Sequence, residues 1–355
     1  MIKTHSLSDL GTLVKKYSNV IVVADKNSAK YTLPLLELPK VQTLLIDGRE
    51  QCKNIDTVVE IWKKFEALHL DRNSVAVNLG GGVVSDVSGF AASTYKRGIP
   101  YINVPTTLLA MVDASIGGKT AVNVDGIKNL AGLFALPAAV LIDIKFLDTL
   151  PLKEKMSGFA ELIKMYAITK KTLDLTYLTY VISAFSGGDK MPLEEAILFS
   201  AKQKEKVVSK DFTEQGSRKI LNFGHTVGHA IESLCLKKNI PLTHGEAVLW
   251  GMVAELYLSV KLLDFPMNEY NKFKAFAHEH YDIPQGILNK KDLPVLMSFI
   301  RNDKKNSGDK IYPVLLSHYG ACRWDIPVSE EDVKDSIMQL ILQEVYKRKL
   351  GCSLK

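Results

Sequence analysis

The apolar positions of the first 150 residues fall in short blocks. Val20-Ile-Val-Val-Ala24, Val41-Gln-Thr-Leu-Leu-Ile46, Ser74-Val-Ala-Val-Asn-Leu79, Tyr101-Ile-Asn-Val-Pro105 and Ala139-Val-Leu-Ile-Asp143 are short runs dominated by β-branched or apolar residues. Such runs predict strands buried on both faces, as in a parallel sheet. Ile55–Leu70 carries helical periodicity, and Gly80-Gly-Gly-Val-Val-Ser-Asp86 leads from the third run into a further helix. Strands alternating with helices predict a mainly parallel, Rossmann-like sheet covered on both faces. Beyond Leu150-Pro151 the pattern lengthens. Lys153–Lys171, Leu193–Lys210, Ile220–Leu236, Gly245–Leu263 and Glu330–Lys349 repeat at helical spacing, and only Ile311–Leu316 reads as a strand, in a local hairpin. The expected architecture is an α/β N-terminal domain over residues 1–150 and a mainly α-helical C-terminal domain over 151–355, with the active site in the cleft between them.

Composition narrows the class. The chain has 355 residues, 46% hydrophobic and 24% charged, with a formal net charge of +6. That is an ordinary soluble protein, long enough for two domains and a substantial core. The charge is mild and no dense Lys/Arg run occurs, which argues against a nucleic-acid partner. Cys52, Cys235, Cys322 and Cys352 lie far apart without CxxC spacing and read as free thiols of a reducing compartment. The first residues show no apolar signal region. The most apolar stretch, Leu130–Leu147, is interrupted by Pro137, Asp143 and Lys145. A cytoplasmic protein with no membrane partner is expected.

One segment departs from ordinary patterning. Arg218, Asn222, His225 and His229 recur at spacings of four, three and four residues. On one α-helix they would share a stripe. A cation, an amide and two imidazoles then stand where Leu or Val is usual, so a metal and an anionic substrate are expected opposite. Glu214, four residues before Arg218, would orient it. His225 and His229 at i,i+4 could bind one metal. His244 opens the next helix, so a carboxylate with two imidazoles from different helices is the alternative, a three-ligand site with open positions. A satisfied core histidine explains any one of these alone, but less readily the set flanked by Gly224 and Gly228.

Other segments suit anions. The glycines at 80–82 follow a strand and open a helix, where backbone N–H groups can meet a pyrophosphate. Their spacing is not GxGxxG, and a tight turn also explains them. Asp25 and Asn27, after the first strand, suit a ribose or nicotinamide or a simple turn. Thr106 and Thr107 follow another strand. Gly117-Gly-Lys-Thr120 resembles the end of a phosphate-binding loop, but Asp113 stands where that motif needs glycine. Lys119 still suits a phosphate or sugar oxygen. Glu161 and Lys164 share a helix face at i,i+3, which is also the spacing of a surface ion pair.

Taken in order, Gly80-Gly-Gly-Val-Val-Ser-Asp, Pro105-Thr-Thr-Leu-Leu, Asp113-Ala-Ser-Ile-Gly-Gly-Lys-Thr, Lys128-Asn, Gly158-Phe-Ala-Glu-Leu-Ile-Lys, Leu221-Asn-Phe-Gly-His-Thr-Val-Gly-His-Ala-Ile-Glu and His244-Gly-Glu-Ala-Val closely resemble the 3-dehydroquinate synthase family. The resemblance runs from about Asp25 to Lys305, and its superfamily also holds other sugar-phosphate cyclases and glycerol and iron-type alcohol dehydrogenases. It implies NAD and one divalent ion, Zn2+ or Co2+, as cofactors. The metal ligands would be Glu161, His225 and His244, with His229 on the substrate side. NAD would lie against Asp25, Asn27, Glu50, Lys53, Gly81, Gly82, Val83, Val84, Ser85, Asp86, Thr106, Thr107, Lys119, Lys128, Phe146, Leu147, Asp148 and Thr149.

The resemblance further implies that Asp113, Lys119, Asn129, Lys164, Lys204, Arg218, Asn222 and His229 hold the substrate. Arg97 would reach in from the other subunit of a homodimer, and Lys304 or Lys305 would meet the phosphate. The family often has Asp-Glu where this chain has Asp211-Phe212, a difference touching only a peripheral helix contact. The implied substrate is a small phosphorylated sugar acid, 3-deoxy-D-arabino-heptulosonate 7-phosphate. The implied chemistry is transient oxidation, β-elimination of phosphate, reduction, ring opening and aldol closure. Rival readings are another sugar-phosphate cyclase, a metal-dependent polyol dehydrogenase and a non-catalytic binding protein. Arg218, Asn222 and His229 favour a carboxylated substrate over the first. Lys119, Lys164 and Lys204 weigh against the second, and the complete ligand set against the third.

Overall fold

The computed structural model describes residues 4–38, 41–125, 127–282, 288–302 and 310–350. Its strands are β1 (Thr4–Ser6), β2 (Val20–Asp25), β3 (Gln42–Ile46), β4 (Val75–Gly80), β5 (Tyr101–Pro105), β6 (Lys119–Val124), β7 (Ile127–Phe134), β8 (Ala139–Ile142), β9 (Leu315–His318) and β10 (Ala321–Arg323). Its helices are α1 (Leu10–Val14), α2 (Lys26–Tyr31), α3 (Ile55–Ala67), α4 (Gly82–Thr94), α5 (Leu152–Thr169), α6 (Leu175–Ser186), α7 (Met191–Lys210), α8 (His225–Lys237), α9 (His244–Leu263), α10 (Met267–His280), α11 (Leu293–Arg301) and α12 (Glu330–Leu350). They group into two compact units. One is Met1–Gly158 with Gly188–Thr213; the other is Phe159–Gly187 with Glu214–Lys355.

The first unit is built on a six-stranded sheet in the order β1-β8-β5-β4-β2-β3, with every pairing parallel. Its central strands are the apolar blocks of the sequence, and β4 and β5 are buried along their whole length. Continuous burial explains why they do not alternate apolar with polar residues. On one face, Ile21, Val23 and Ala76 pack against Val58, Ile61 and Phe65 of α3 and Val84 and Val87 of α4. Elsewhere Val140 of β8 and Ile116 meet Ala201 and Val208 of α7. That contact carries Gly188–Thr213 into the first unit, whereas a single cut near residue 150 leaves it with the second half. A two-stranded antiparallel hairpin, β6–β7, is a further element the apolar pattern did not announce.

The second unit is helical. α9 is buried nearly all round, from Gly245 to Ser259, as a helix at the centre of a bundle must be. Around it lie α8, α10 and α12 and the short β9–β10 hairpin. That hairpin begins at Leu315, so the strand expected at Ile311–Leu316 lies further along. Ile311 instead forms an isolated bridge with Val328. Among the described residues no helix is long and apolar enough to cross a membrane.

Candidate active site

The backbone fixes where α8 begins. Ser217–Asn222 is a 3-10 turn, Phe223 leaves helical space with ψ 129°, and Gly224 takes φ 80°. Glycine accepts that left-handed conformation without a Cβ clash. The single helical stripe expected from Arg218 to His229 is therefore broken, and only His225 and His229 share a helix. Glu214, at φ 60°, is not one helical turn from Arg218 as expected; its Oε1 accepts from Asn222 Nδ2 at 2.5 Å.

His225 is the first residue of α8 and His244 the first of α9. Their Nε2 atoms lie 3.5 and 3.4 Å from Glu161 Oε1, which α5 supplies. The three residues offer ligand atoms within 4.8 Å of one another. Tetrahedral ligands at about 2.1 Å from an ion stand about 3.4 Å apart, so this donor set fits one small divalent cation. His225 Nδ1 is 3.1 Å from the Phe223 carbonyl, which can only accept, so Nδ1 carries the proton and Nε2 presents its lone pair. His244 Nδ1 lies 3.2 Å from Glu232 Oε2, the carboxylate support usual behind a metal-binding imidazole. Burial disfavours charge on His244, but Glu161 and Glu232 outweigh it and raise its pKa to about 10. A field that holds an imidazolium so firmly also favours a divalent cation.

Two further polar groups, His229 and Lys164, lie beside this cluster. The His229 ring centroid is 5.1 Å from that of His225 and 5.9 Å from that of His244. Lys164 forms a buried ion pair with Glu161, not a solvated surface pair. Arg218 is buried as well.

The first unit holds three further groupings. β2 has β3 on one side and β4 on the other, so the connections leaving β2 and β4 diverge, a topological switch point. At the carboxyl ends of these strands and β5 stand Asp25, Gly81, Thr106 and Thr107. A Cβ on Gly80 would come within 2.5 Å of Val84, and one on Gly81 within 3.1 Å of Thr107. Gly81 is the N-cap of α4 and offers no side chain, which leaves the first N–H groups of α4 for an anion. Ser85 Oγ donates to the Gly81 carbonyl at 3.2 Å. Asp25 caps α2, accepting from the Asn27 and Ser28 N–H groups at 2.9 and 3.0 Å; Asn27 is exposed.

In the second grouping Lys53 Nζ is 2.5 Å from Asp86 Oδ2 and also donates to Asn129 Oδ1. Burial raises the Asp86 pKa despite the pull of Lys53. Glu50 accepts from Asn123, which in turn accepts from the Asn129 N–H. In the third, Lys204 Nζ reaches Asp113 Oδ1 at 2.5 Å and the Asp113 carbonyl at 2.7 Å, on a π-helical turn, Ala110–Ala114.

The remaining expected residues are more dispersed. Lys119 opens β6 opposite Phe134, while Lys128 and Asn129 lie on β7. Phe146 and Leu147 are buried; Asp148 and Thr149 are exposed, and Asp148 pairs with Lys190 at 2.5 Å. Arg97 is exposed on a turn where Lys96, Arg97 and Gly98 take φ of 49°, 68° and 109°. Lys96 Nζ donates to the Leu70 carbonyl at 2.7 Å, and Arg72 Nε to the Lys96 carbonyl at 3.1 Å, clamping that turn. Lys304 and Lys305 lie outside the described residues. The sequence assigns no role to two carboxylates: Glu232, which ends the motif that begins at Leu221, and Glu255, a lone acid in the apolar run of α9.

Comparison with known proteins decides the family. The 3-dehydroquinate synthase N-terminal model matches residues 43–157, and the 3-dehydroquinate synthase C-terminal model matches residues 158–306. The chain belongs to the 3-dehydroquinate synthase family. A 3-dehydroquinate synthase of Parabacteroides distasonis is 38% identical over 326 residues, 91% of each chain. Among solved structures, a 2-deoxy-scyllo-inosose synthase complexed with carbaglucose-6-phosphate, NAD+ and Co2+ aligns with a TM-score of 0.82 at 26% identity, covering 95% of this chain and 96% of that one. The 2-epi-5-epi-valiolone synthase of Streptomyces hygroscopicus, with NAD+ and Zn2+ bound, shares the fold with a TM-score of 0.78 at 22% identity, over 97% of both chains. The 3-dehydroquinate synthase match thus spans the switch-point glycines and all three members of the Glu161 cluster.

Proposed function

We propose that the chain is a 3-dehydroquinate synthase, a carbon–oxygen lyase that converts 3-deoxy-D-arabino-heptulosonate 7-phosphate to 3-dehydroquinate and phosphate. The observation that carries this reading is the convergence of Glu161, His225 and His244 in a chain that both family models match. Glu161, His225 and His244 would hold one Zn2+ or Co2+. Asp25, Glu50, Lys53, Gly81 with the first residues of α4 (82–86), Thr106, Thr107, Lys128 and Phe146–Thr149 would hold NAD. A bound divalent ion would lower the pKa of a substrate hydroxyl, and bound NAD would take up a hydride and return it.

The protein's part is mostly positioning. Lys119, Asn129, Asn222, His229 and one of Lys304 and Lys305 would cradle the phosphate, whose own oxygen can take the proton lost in β-elimination. Lys164 stands beside Glu161 to meet substrate hydroxyls. Asp113 and Lys204, already paired, would bind as a unit. Arg218 brings the positive charge that a carboxylated substrate needs.

The enzyme would work in the cytoplasm as a homodimer, with Arg97 completing the partner's phosphate site. The clamped turn that displays Arg97 supports this, as do the exposed Ile127, Leu130, Leu133 and Phe134 of β7, an apolar surface for a second copy to cover.

One assay tests the reading. Purified protein receives the heptulosonate phosphate, trace NAD and Zn2+, and phosphate and NADH are both followed. Phosphate release without net NADH is expected. NADH accumulating with a polyol, or turnover of a neutral hexose phosphate in preference to the acid, would overturn it. The hexose arm addresses the structural likeness to the inosose synthase.

A further inference from the structure

The two histidines of the cluster both open helices, but the two helix starts are secured differently. Ahead of His244, Thr243 and Glu246 form a capping box: the Glu246 N–H donates to Thr243 Oγ1 at 3.3 Å, and Glu246 Oε2 accepts from the Thr243 N–H at 2.7 Å. The start of α9 is thus fixed by its own sequence. The residue ahead of His225 is Gly224, which has no side chain to cap with. Unsatisfied N–H groups at a buried helix start are costly.

Glu255 supplies what α8 lacks. Its carboxylate comes from the middle of α9 and is fully buried. Oε2 accepts from the Gly224 N–H at 2.7 Å, and Oε1 from the Thr226 and Val227 N–H groups at 3.0 and 3.4 Å. These contacts bracket His225 on both sides. We infer that Glu255 is a positioning residue for the metal site: it holds the first turn of α8 so that His225 Nε2 faces Glu161 Oε1, and its negative charge offsets the positive helix terminus behind that imidazole.

Both effects act on cation binding. A helix start carries about half a unit of positive charge, which opposes a divalent ion held by the first residue of that helix. A carboxylate against that terminus removes the opposition. Loss of such support behind a ligand typically costs 10–100-fold in metal affinity. The inference rests on the metal-site reading above.

The test measures Zn2+ and Co2+ affinity by chelator competition in the full chain, without substrate or NAD, together with the visible spectrum of the Co2+ form and thermal stability. Glu255→Gln keeps the shape and one acceptor oxygen but removes the charge. It should weaken both ions about tenfold or more and shift the Co2+ bands. Ser259→Ala serves as the comparison. Ser259 is buried on the same helix and links the Glu255 carbonyl to the Leu316 N–H, so its loss should lower stability while leaving affinity unchanged. Wild-type affinity and spectrum in Glu255→Gln would overturn the inference. So would an equal loss of affinity in Ser259→Ala at equal stability. His244→Ala separates the two readings: if it retained full affinity, the metal site would be misplaced and the role of Glu255 would fall with it.

Discussion

Gly251 of α9 lies so close to Gly224 that a Cβ on it would stand 1.9 Å from the Gly224 carbonyl oxygen and 2.7 Å from the Gly228 nitrogen. Gly228 is as tightly set, its Cβ position 3.0 Å from the Ala247 carbonyl oxygen. Glycines on both helices therefore allow the backbones of α8 and α9 to touch, bringing the histidines at their starts together. Gly251→Ala should push the helices apart. Overpacking of this kind costs about 1–3 kcal/mol, and here the opposing atom is backbone that cannot swing away. A lower melting temperature together with reduced metal content is expected. A variant as stable as the parent and fully metallated would contradict the close-contact account.

Removing a donor is a more direct probe. His244→Ala leaves a carboxylate and one imidazole and should abolish tight binding of the divalent ion. Glu232→Gln keeps the ligand but loosens its support, and a 10–100-fold loss of affinity is expected. Metal content after dialysis, with circular dichroism to verify folding, checks both. Full occupancy in His244→Ala would refute the ligand set.

Arg97 offers a kinetic test. Arg97→Ala should raise KM for the phosphorylated substrate by about 10- to 150-fold, the loss of a charge-assisted contact of roughly 1.5–3 kcal/mol, and leave KM for NAD unchanged. Steady-state kinetics with each substrate varied in turn would show it. Equal effects on both, or none, would remove the arginine from the phosphate site.

The thiols respond to pH in a definite direction. Burial pushes Cys235 up to about 11 and Cys322 up to about 12. Unfolded thiols ionise near 8.5, so from there up to about 11 for Cys235 and about 12 for Cys322 the unfolded chain sheds protons that the folded chain keeps. Stability is fully present below pH 8.5 and should fall as pH rises. Cys235→Ser should flatten that decline in a series of melts from pH 7.5 to 10. At pH 8 an alkylating reagent should leave the buried Cys235 unlabelled until denaturant is added; rapid labelling of Cys235 in the native protein would contradict its burial.

The sequence disclosed most where the physics is local. Val20–Ala24 and Tyr101–Pro105 became central strands because short apolar runs rich in β-branched residues suit a sheet buried on both faces. Glu161, His225 and His244, drawn from three helices, were named from a family resemblance and do converge. The broken stripe between Arg218 and His229 illustrates the limit. Periodicity counted residues evenly through Gly224, but one left-handed glycine resets the phase. Glu214 is no helical partner of Arg218 for a different reason: Glu214 itself takes φ 60°, and the 3-10 turn begins only at Ser217. Glu255 was hidden because the groups it serves, the amides of Gly224, Thr226 and Val227, carry no side-chain signal. Nor does any local pattern tell α7 that its partners are Ile116 and Val140.

That last arrangement has a consequence for biosynthesis. The first unit draws its covering helix α7 from beyond a stretch, Phe159–Gly187, that belongs to the other unit. During translation the sheet can form as β8 emerges, but Ile116 and Val140 stay uncovered until Thr213 has left the ribosome. A nascent chain stalled before that point exposes apolar surface, and a gene fragment ending at residue 158 encodes an incomplete fold that should need a chaperone or aggregate.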